Sequence, residues 1–174
     1  MTRQATKAVV SGSFDPITKG HLYVVEQALK MVDHVIVMIA DNPDKRYHFT
    51  LEERQAIVKE SLIESDGGQA LDEGRVSVVA MPHGRFTARI TKEMGASLVV
   101  RGLRNVVDFE YEHSQQLINT TIEPEVTTVF VMPPTELIAV SSSNIKAMVG
   151  IEGWEELAEN YIPLAALNAL RQKA

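Results

Sequence analysis

Two apolar runs separated by one helical pattern constrain this chain more than any other feature of its sequence. Residues 8–10 and 34–40 are almost entirely apolar, and between them apolar side chains recur with helical spacing from Leu22 to Val32. Strands that are apolar on both faces are typical of parallel sheets, which helices cover on each side. A strand, a helix and a second strand within this length predict a βαβ unit with parallel strands and a right-handed crossover.

The same alternation continues along the chain. Further strands are predicted at 76–80, 98–100 and 126–132, with helical segments between and after them. We therefore predict an α/β fold, a Rossmann-like doubly wound five-stranded parallel sheet with helices on both faces. The 174 residues suffice for one core and show no clear linker, which predicts one domain over residues 1–174. The glycine-rich, acidic stretch 66–75 is expected to be a mobile surface loop.

Composition excludes several classes of function. The net charge of −6 argues against a general binder of nucleic acid or of anionic membranes, so an anionic ligand would need a local cluster of cations. The absence of cysteine excludes disulfides, thiolate metal sites and cysteine nucleophiles. The first residues lack the apolar core of a signal peptide, and no apolar run reaches membrane-spanning length, which predicts a cytoplasmic protein.

The turn after the first strand is the first candidate for a binding site. Gly12 is expected to let the backbone turn sharply, and Thr18 is a candidate N-cap that places His21 in the first helical turn. A helix N-terminus attracts anions, and His21 could donate a hydrogen bond to a phosphoryl oxygen. The alternative is an ordinary strand–turn–helix with an exposed histidine.

Cationic and hydroxyl side chains follow three later strands. Lys45 lies in a polar loop after the second strand, and Arg101 and Arg104 flank a glycine after the fourth. Guanidinium groups spaced in this way suit bidentate phosphate contacts. Three serines at 141–143 precede a helical segment, where they offer an N-cap and hydroxyl donors. Taken one at a time, these side chains could equally be solvated surface residues and a plain helix cap.

Taken together, four segments resemble a known family. Gly-Ser-Phe-Asp-Pro-Ile-Thr-Lys-Gly-His at 12–21 is similar to the signature of nucleotidyltransferases with a Thr/His-x-Gly-His motif, and most resembles that of bacterial phosphopantetheine adenylyltransferases. Phe-Thr-Leu-Glu-Glu-Arg at 49–54, the Arg-Gly-Leu-Arg run that leads to Asp-Phe-Glu-Tyr-Glu at 101–112, and the triple serine also resemble that family. The chain departs from the family pattern at Ser11, Val140 and Asn144, and in a longer 66–75 segment.

The resemblance implies an activity. It implies transfer of AMP from ATP to 4′-phosphopantetheine, giving dephospho-CoA and pyrophosphate in coenzyme A biosynthesis. Mg²⁺ is expected with ATP, held mainly by phosphates and water rather than by a protein metal site. The family is also expected to assemble as a hexamer and to be inhibited by CoA, with no nucleic-acid or membrane partner.

The resemblance also assigns roles to residues of this sequence. The expected catalytic residues are Thr18, His21 and Lys45. The expected acceptor-binding residues are Ser13, Lys45, Thr87 and Arg101. The expected ATP-binding residues are Ser13, Phe14, His21, Gly102, Leu103, Arg104, Glu112, Leu137, Ile138, Ala139, Val140, Ser141, Ser142 and Ser143.

Two other functions stay open at this point. A nicotinate-mononucleotide adenylyltransferase would share a related first motif and a serine-rich last one, but the 101–112 run and the Lys45 loop disfavour it. A non-catalytic sensor of adenine nucleotides or CoA would be favoured by loss of Thr18, Gly20, His21 or Arg101, and all four are present.

Overall fold

The computed structural model describes residues 6–65 and 67–174. Its strands form one parallel sheet in the order β3-β2-β1-β4-β5. The strands are β1 (Lys7–Gly12), β2 (His34–Ile39), β3 (Val76–Ala80), β4 (Leu98–Gly102) and β5 (Thr127–Val131). From β1 the chain adds strands in one direction and then, from β4, in the other, which confirms the predicted doubly wound sheet. The order reverses between β1 and β4, where sheets of this kind bind ligands.

The helices lie between and after the strands. They are α1 (Lys19–Met31), α2 (Leu51–Ile63), α3 (Gly67–Asp72), α4 (Thr87–Glu93), α5 (Val106–Ile122), α6 (Thr135–Ile138), α7 (Ser142–Met148), α8 (Trp154–Ala158) and α9 (Leu164–Arg171). Within the part of the chain that the structure describes, none of these helices has the length and apolarity that crossing a membrane requires.

Alternate residues of the central strands enter two different cores. Val10 and Val37 pack in the larger core, which α1, α2 and α9 cover. Val9 and Met38 point to the opposite face, where they pack with Ile90 of α4. This period of two explains why the strands read as continuous apolar runs, since both faces of the sheet are buried.

The expectation of a mobile loop over 66–75 is wrong for the residues that the structure describes there. Residues Gly67–Asp72 form α3, and Ala70 is buried against the larger core. The helix ends at Asp72; Gly74 follows with a φ of 68°, and the amide of Arg75 donates to the Ala70 carbonyl at 2.7 Å. The glycines therefore start and stop a short packed helix, and Asp66 lies outside the described residues.

Candidate active site

A cavity of about 490 Å³ opens at the carboxyl edge of the sheet, beside the ends of β1 and β4. Its wall includes the first turn, the N-terminus of α1, the loop after β2, the start of α5, and the segment that leads into α7. The topology explains this convergence, because parallel strands deliver their following loops to the same edge. The segments that carried the candidate motifs along the sequence are thus brought to one place.

Phe14, not Gly12, adopts the left-handed backbone conformation in the first turn, with a φ of 47°. The expectation that Gly12 makes the sharp turn is therefore wrong. Gly12 instead makes room for a neighbour, because a Cβ there would lie 3.0 Å from Cζ of the Phe14 ring. That ring is buried and meets His21 edge-on, with 5.2 Å between centroids.

His21 completes a capping box at the N-terminus of α1. Thr18 is the N-cap, and its hydroxyl accepts a hydrogen bond from the His21 amide at 3.3 Å. In return His21 Nδ1 accepts from the Thr18 amide at 3.0 Å and also lies 3.0 Å from the Thr18 hydroxyl. Glu or Gln usually fills this reciprocal position. Because Nδ1 is an acceptor here, the proton of the neutral ring lies on Nε2.

The surroundings of His21 keep the ring neutral. Burial, with smaller contributions from the nearby charges of Arg104 and Arg101, lowers the pKa of His21 to about 4. At neutral pH the side chain is therefore an uncharged donor, and it lies in the wall of the cavity. This is the form that can stabilise negative charge developing on a phosphoryl oxygen without accepting or releasing a proton.

Arg101 is held between two segments of the wall. Its Nε donates to Glu112 Oε2 at 2.8 Å and its Nη2 to Glu112 Oε1 at 2.5 Å. Its Nη1 donates to the Ser11 hydroxyl at 2.9 Å and also to the Ser11 carbonyl. A bidentate pair of this kind fixes the plane of the guanidinium. Ser11, one of the departures from the family pattern, thus contributes a hydrogen bond to Arg101.

Arg104 is also paired, since it makes a bidentate contact with Asp108, in the first turn of α5, at 2.7 and 2.9 Å. The hydrogen bond to Arg104 lowers the pKa of Asp108, although partial burial acts in the opposite direction. Lys45 and Arg46 also line the cavity, and within residues 6–65 and 67–174 neither has a carboxylate at ion-pair distance.

Asp15 connects three segments around the site. It is buried and accepts from the amides of His48 and Phe49, at 3.0 Å each, and from Lys146 Nζ at 2.5 Å. Burial acts to raise the pKa of Asp15, but these hydrogen bonds and the Lys146 charge outweigh it and leave the pKa below its usual value. The carboxylate therefore ties the first turn to the end of the Lys45 loop and to α7.

The three serines have different surroundings. The Ser141 hydroxyl caps α7 by accepting from the Asn144 amide at 3.2 Å, and Asn144 Oδ1 accepts in return from the Ser141 amide at 3.1 Å. The Ser142 hydroxyl donates to the Pro16 carbonyl at 2.8 Å. Ser143 is exposed at the cavity wall. Asn144, a departure from the family pattern, therefore completes the cap.

Most of the residues predicted for the site line this one cavity. Those that do are Ser13, Phe14, Thr18, His21, Lys45, Arg101, Gly102, Arg104, Glu112, Leu137, Ile138, Val140, Ser141, Ser142 and Ser143. Three predicted residues do not line it: Thr87 starts α4, Leu103 is buried, and Ala139 is exposed after α6. The wall also holds Arg46, the neighbour of Lys45, and side chains to which the sequence assigned no role in the site, namely Asp15, Tyr47, Asp108 and Lys146. Among these, only Asp108 is marked by a local pattern, because it lies four residues after Arg104, a spacing at which opposite charges pair.

Gly20 also lines the cavity, in the first turn of α1. A Cβ at Gly20 would lie 3.0 Å from the Leu137 carbonyl oxygen, so the missing side chain lets α6 approach α1.

No group of three or more histidine and acidic side chains suited to a metal ion is found among residues 6–65 and 67–174. The carboxylates of the cavity wall are bonded to cations: Asp15 to Lys146, Asp108 to Arg104 and Glu112 to Arg101.

Comparison with known proteins places this chain in a family. A cytidylyltransferase-like family model matches residues 9–148. Curated phosphopantetheine adenylyltransferases align along almost the whole chain: the protein of Neisseria meningitidis is 42% identical over 91% of this chain and 88% of its own length. The chain belongs to the phosphopantetheine adenylyltransferase family. The Chromobacterium violaceum phosphopantetheine adenylyltransferase is 38% identical over 90% of each chain.

Solved structures outside this family share its fold. Plasmodium falciparum nicotinic acid mononucleotide adenylyltransferase, complexed with APC, superposes with a TM-score of 0.70 at 15% identity, over 98% of this chain and 96% of that one. Thermotoga maritima TmcAL bound with alpha-thio ATP superposes with a TM-score of 0.63 at 12% identity, over 97% of this chain and 56% of that one. At these identities the likeness shows a common fold, while the curated relatives show which nucleotidyltransferase family the chain belongs to.

Proposed function

We propose that this chain transfers the adenylyl group of ATP to 4′-phosphopantetheine, giving dephospho-CoA and pyrophosphate, and that the cavity beside β1 and β4 is the active site. Membership of the phosphopantetheine adenylyltransferase family supports the reaction. The observation that carries the assignment of the site is the His21 capping box. It uses Nδ1 as an acceptor and so leaves a neutral Nε2 donor at the N-terminus of α1, where a helix attracts phosphate.

The reaction asks little covalent chemistry of the protein. An oxygen of the acceptor phosphate attacks the α-phosphorus of ATP, the bond to the β-phosphate oxygen breaks, and pyrophosphate leaves with that electron pair. The attacking oxygen is already anionic, so no general base is needed. Catalysis therefore depends on positioning and on stabilising the charge that develops on the α-phosphoryl oxygens.

In this proposal, side chains that follow β1, β2 and β4 bind the reacting groups. His21 Nε2 donates to an α-phosphoryl oxygen, while Thr18 orients the ring through its amide and hydroxyl. Lys45, whose ammonium has no carboxylate at ion-pair distance within the described residues, meets the reacting phosphates. Arg101 and Ser13 receive the acceptor, and Glu112 holds the Arg101 guanidinium in its plane.

The ATP site is proposed to lie between the start of α5 and the serine segment. Its residues are Phe14, Gly102, Arg104, Glu112, Leu137, Ile138, Val140, Ser141, Ser142 and Ser143, which line the cavity together. Leu103 and Ala139, predicted for ATP, and Thr87, predicted for the acceptor, do not line it, so their roles stay predictions.

Nucleotidyltransferases that use ATP generally require a divalent metal ion, and we propose that this ion is Mg²⁺. It would enter with the triphosphate as part of the substrate. The pairing of each wall carboxylate with a lysine or arginine supports coordination by phosphates and water rather than by the protein.

We further propose that residues 1–174 act as one domain, that the chain assembles as a hexamer, and that CoA inhibits it. Helix α5 supports assembly because it exposes large apolar side chains, among them Val106, Val107, Tyr111 and Leu117. CoA contains the dephospho-CoA product within its structure and would compete for the same cavity. Sedimentation velocity and CoA titration of the initial rate test these two proposals. The cytoplasmic location stays a prediction.

Pyrophosphate release tests the proposed reaction. The assay holds ATP and Mg²⁺ constant and compares 4′-phosphopantetheine, nicotinate mononucleotide, and pantetheine without its phosphate. We expect release with phosphopantetheine alone, because only it combines the family's acceptor with a nucleophilic phosphate. Release with nicotinate mononucleotide alone would assign the chain to the activity named for its structural neighbours. No release with any acceptor, together with tight ATP or CoA binding, would leave a non-catalytic sensor.

A further inference from the structure

Arg54 is a charged side chain that no step of the proposed reaction uses, yet it is 1% exposed. Its Nη1 donates to the carbonyls of Ser13 at 3.0 Å and Ala40 at 2.8 Å. Its Nη2 donates to Asp41 Oδ1 at 2.5 Å. Burying a guanidinium is costly unless it is paired and hydrogen-bonded, so this position demands a set of acceptors, which the first turn and the loop after β2 provide together.

The loop between β2 and α2 is built around this guanidinium. Ala40 and Asp41, at the start of the loop, accept its hydrogen bonds, and the Tyr47 ring lies 3.9 Å from its central carbon. The Tyr47 hydroxyl in turn accepts from the Asn42 amide at 2.8 Å. Both ends of the segment that carries Lys45 and Arg46 therefore contact one buried side chain.

The same guanidinium reaches the first turn. Its bond to the Ser13 carbonyl joins the loop to the backbone that precedes Phe14 and Thr18. Asp15 makes the complementary connection from the turn to the amides of His48 and Phe49. The distance between Lys45 and the His21 end of the cavity thus depends on two buried charged side chains, Asp15 and Arg54. Arg54 belongs to α2.

We propose that Arg54 is a positioning residue, which sets the place of Lys45 relative to the first turn without touching either substrate. The inference rests on the proposed function. A lysine cannot replace it, because one ammonium lacks the planar fork that reaches two carbonyls and a carboxylate at once. Misplacing a reacting group by about 1 Å costs up to about 100-fold in rate, so Arg54→Lys is expected to lower kcat about 10- to 100-fold.

The test combines Arg54→Lys with Lys45→Ala in a double-mutant cycle, with kcat, KM and Tm measured for each variant. If Arg54 acts through Lys45, the double variant is expected to lose little more kcat than Lys45→Ala alone, because the loop no longer carries the group that needs placing. Losses in kcat that multiply independently would overturn the proposal.

Arg75→Lys is the matched control. Arg75 also donates to two backbone carbonyls, of Leu29 and Asp33, but it lies outside the cavity wall. Arg75→Lys is expected to lower the Tm and to leave kcat nearly unchanged. Equal kcat losses in Arg75→Lys and Arg54→Lys would reduce Arg54 to a general stabilising role and refute the positioning.

Asp41→Ala keeps the proposal testable if Arg54→Lys fails to fold. Asp41 is 44% exposed and does not line the cavity, so its removal reaches the reaction only through Arg54 and the loop. We expect a several-fold loss of kcat with the KM for ATP unchanged, and an unchanged kcat would overturn the inference. Wild-type protein measured in the same assay separates the two proposals. If the wild type releases no pyrophosphate, the proposed function is refuted, and the inference about Arg54 fails with it.

Discussion

Two substitutions of His21 should separate its structural role from its catalytic one. His21 Nδ1 accepts from the Thr18 amide, while Nε2 is the donor available to a phosphate. In the same chain Asn144 fills the equivalent helix position, and its Oδ1 accepts from the Ser141 amide at 3.1 Å. His21→Asn therefore keeps an acceptor for the capping box but has no atom at the Nε2 position. His21→Ala removes both.

The two roles have different magnitudes. Losing the capping acceptor leaves the Thr18 amide without its partner and costs about 1 kcal/mol, which lowers the Tm of a chain of this size by about 2–4 °C. Losing a donor that strengthens in the transition state costs about 2.7–4 kcal/mol, or about 100- to 1,000-fold in kcat. We therefore expect kcat to fall to a similar extent in both variants, while only His21→Ala has a Tm below that of the wild type.

Thermal unfolding followed by circular dichroism gives the Tm, and pyrophosphate release at saturating ATP and acceptor gives kcat. His83→Ala is the matched control, because His83 is exposed and does not line the cavity. A His21→Asn variant with wild-type kcat would refute the assignment of Nε2 as a donor in the reaction. A His21→Ala variant as stable as His21→Asn would show that the capping box contributes nothing.

Three further predictions concern the pKa of His21, the pKa of Asp15 and the packing of Gly102. Because burial lowers the pKa of His21 to about 4, kcat should show no His21-dependent fall between pH 8 and pH 6, and a limb near pH 6.5 that disappears in His21→Asn would contradict this. Asp15 has a lowered pKa, so its contribution to stability is complete above its ordinary value of 3.8 and is lost as the pH falls below it. Asp15→Asn should therefore cost about 1–3 kcal/mol of unfolding free energy at pH 7 in urea titrations, with a smaller difference from wild type at pH 3. Gly102→Ala should cost about 1–3 kcal/mol by the same measurement, because its Cβ would lie 2.9 Å from Cγ2 of buried Val24.

Local signals in the sequence predicted much of this fold because local chemistry forms it. The two apolar runs at the start of the chain predicted the βαβ unit, and Thr18 caps α1 as its position predicted. The 66–75 prediction was wrong because its glycines and acidic residues are typical of a loop, whereas Ala70 and Leu71 pack against the larger core, a contact that only the tertiary structure supplies. The turn prediction was wrong for the same reason: Gly12 is required by the Phe14 ring, not by its own backbone.

The pairing of the site's charges was the part that the sequence could not supply. A chain with a net charge of −6 was expected to hold an anionic ligand with a cluster of cations, and the cavity wall does carry Lys45, Arg46, Arg101, Arg104 and Lys146. Three of these five are bonded to carboxylates that lie 4, 11 and 131 residues away in the chain, and only the first spacing is a local pattern.

Those carboxylates do more than reduce the positive charge. Each fixes the direction of its cation before a ligand arrives, so less side-chain freedom is lost when a phosphate binds. The two cations without such a partner among the described residues both lie in the loop that Arg54 anchors. In the proposed site the cations are therefore oriented by two means: carboxylates hold Arg101, Arg104 and Lys146, and a buried guanidinium holds the Lys45 loop. Neither depends on a surplus of positive charge in the chain.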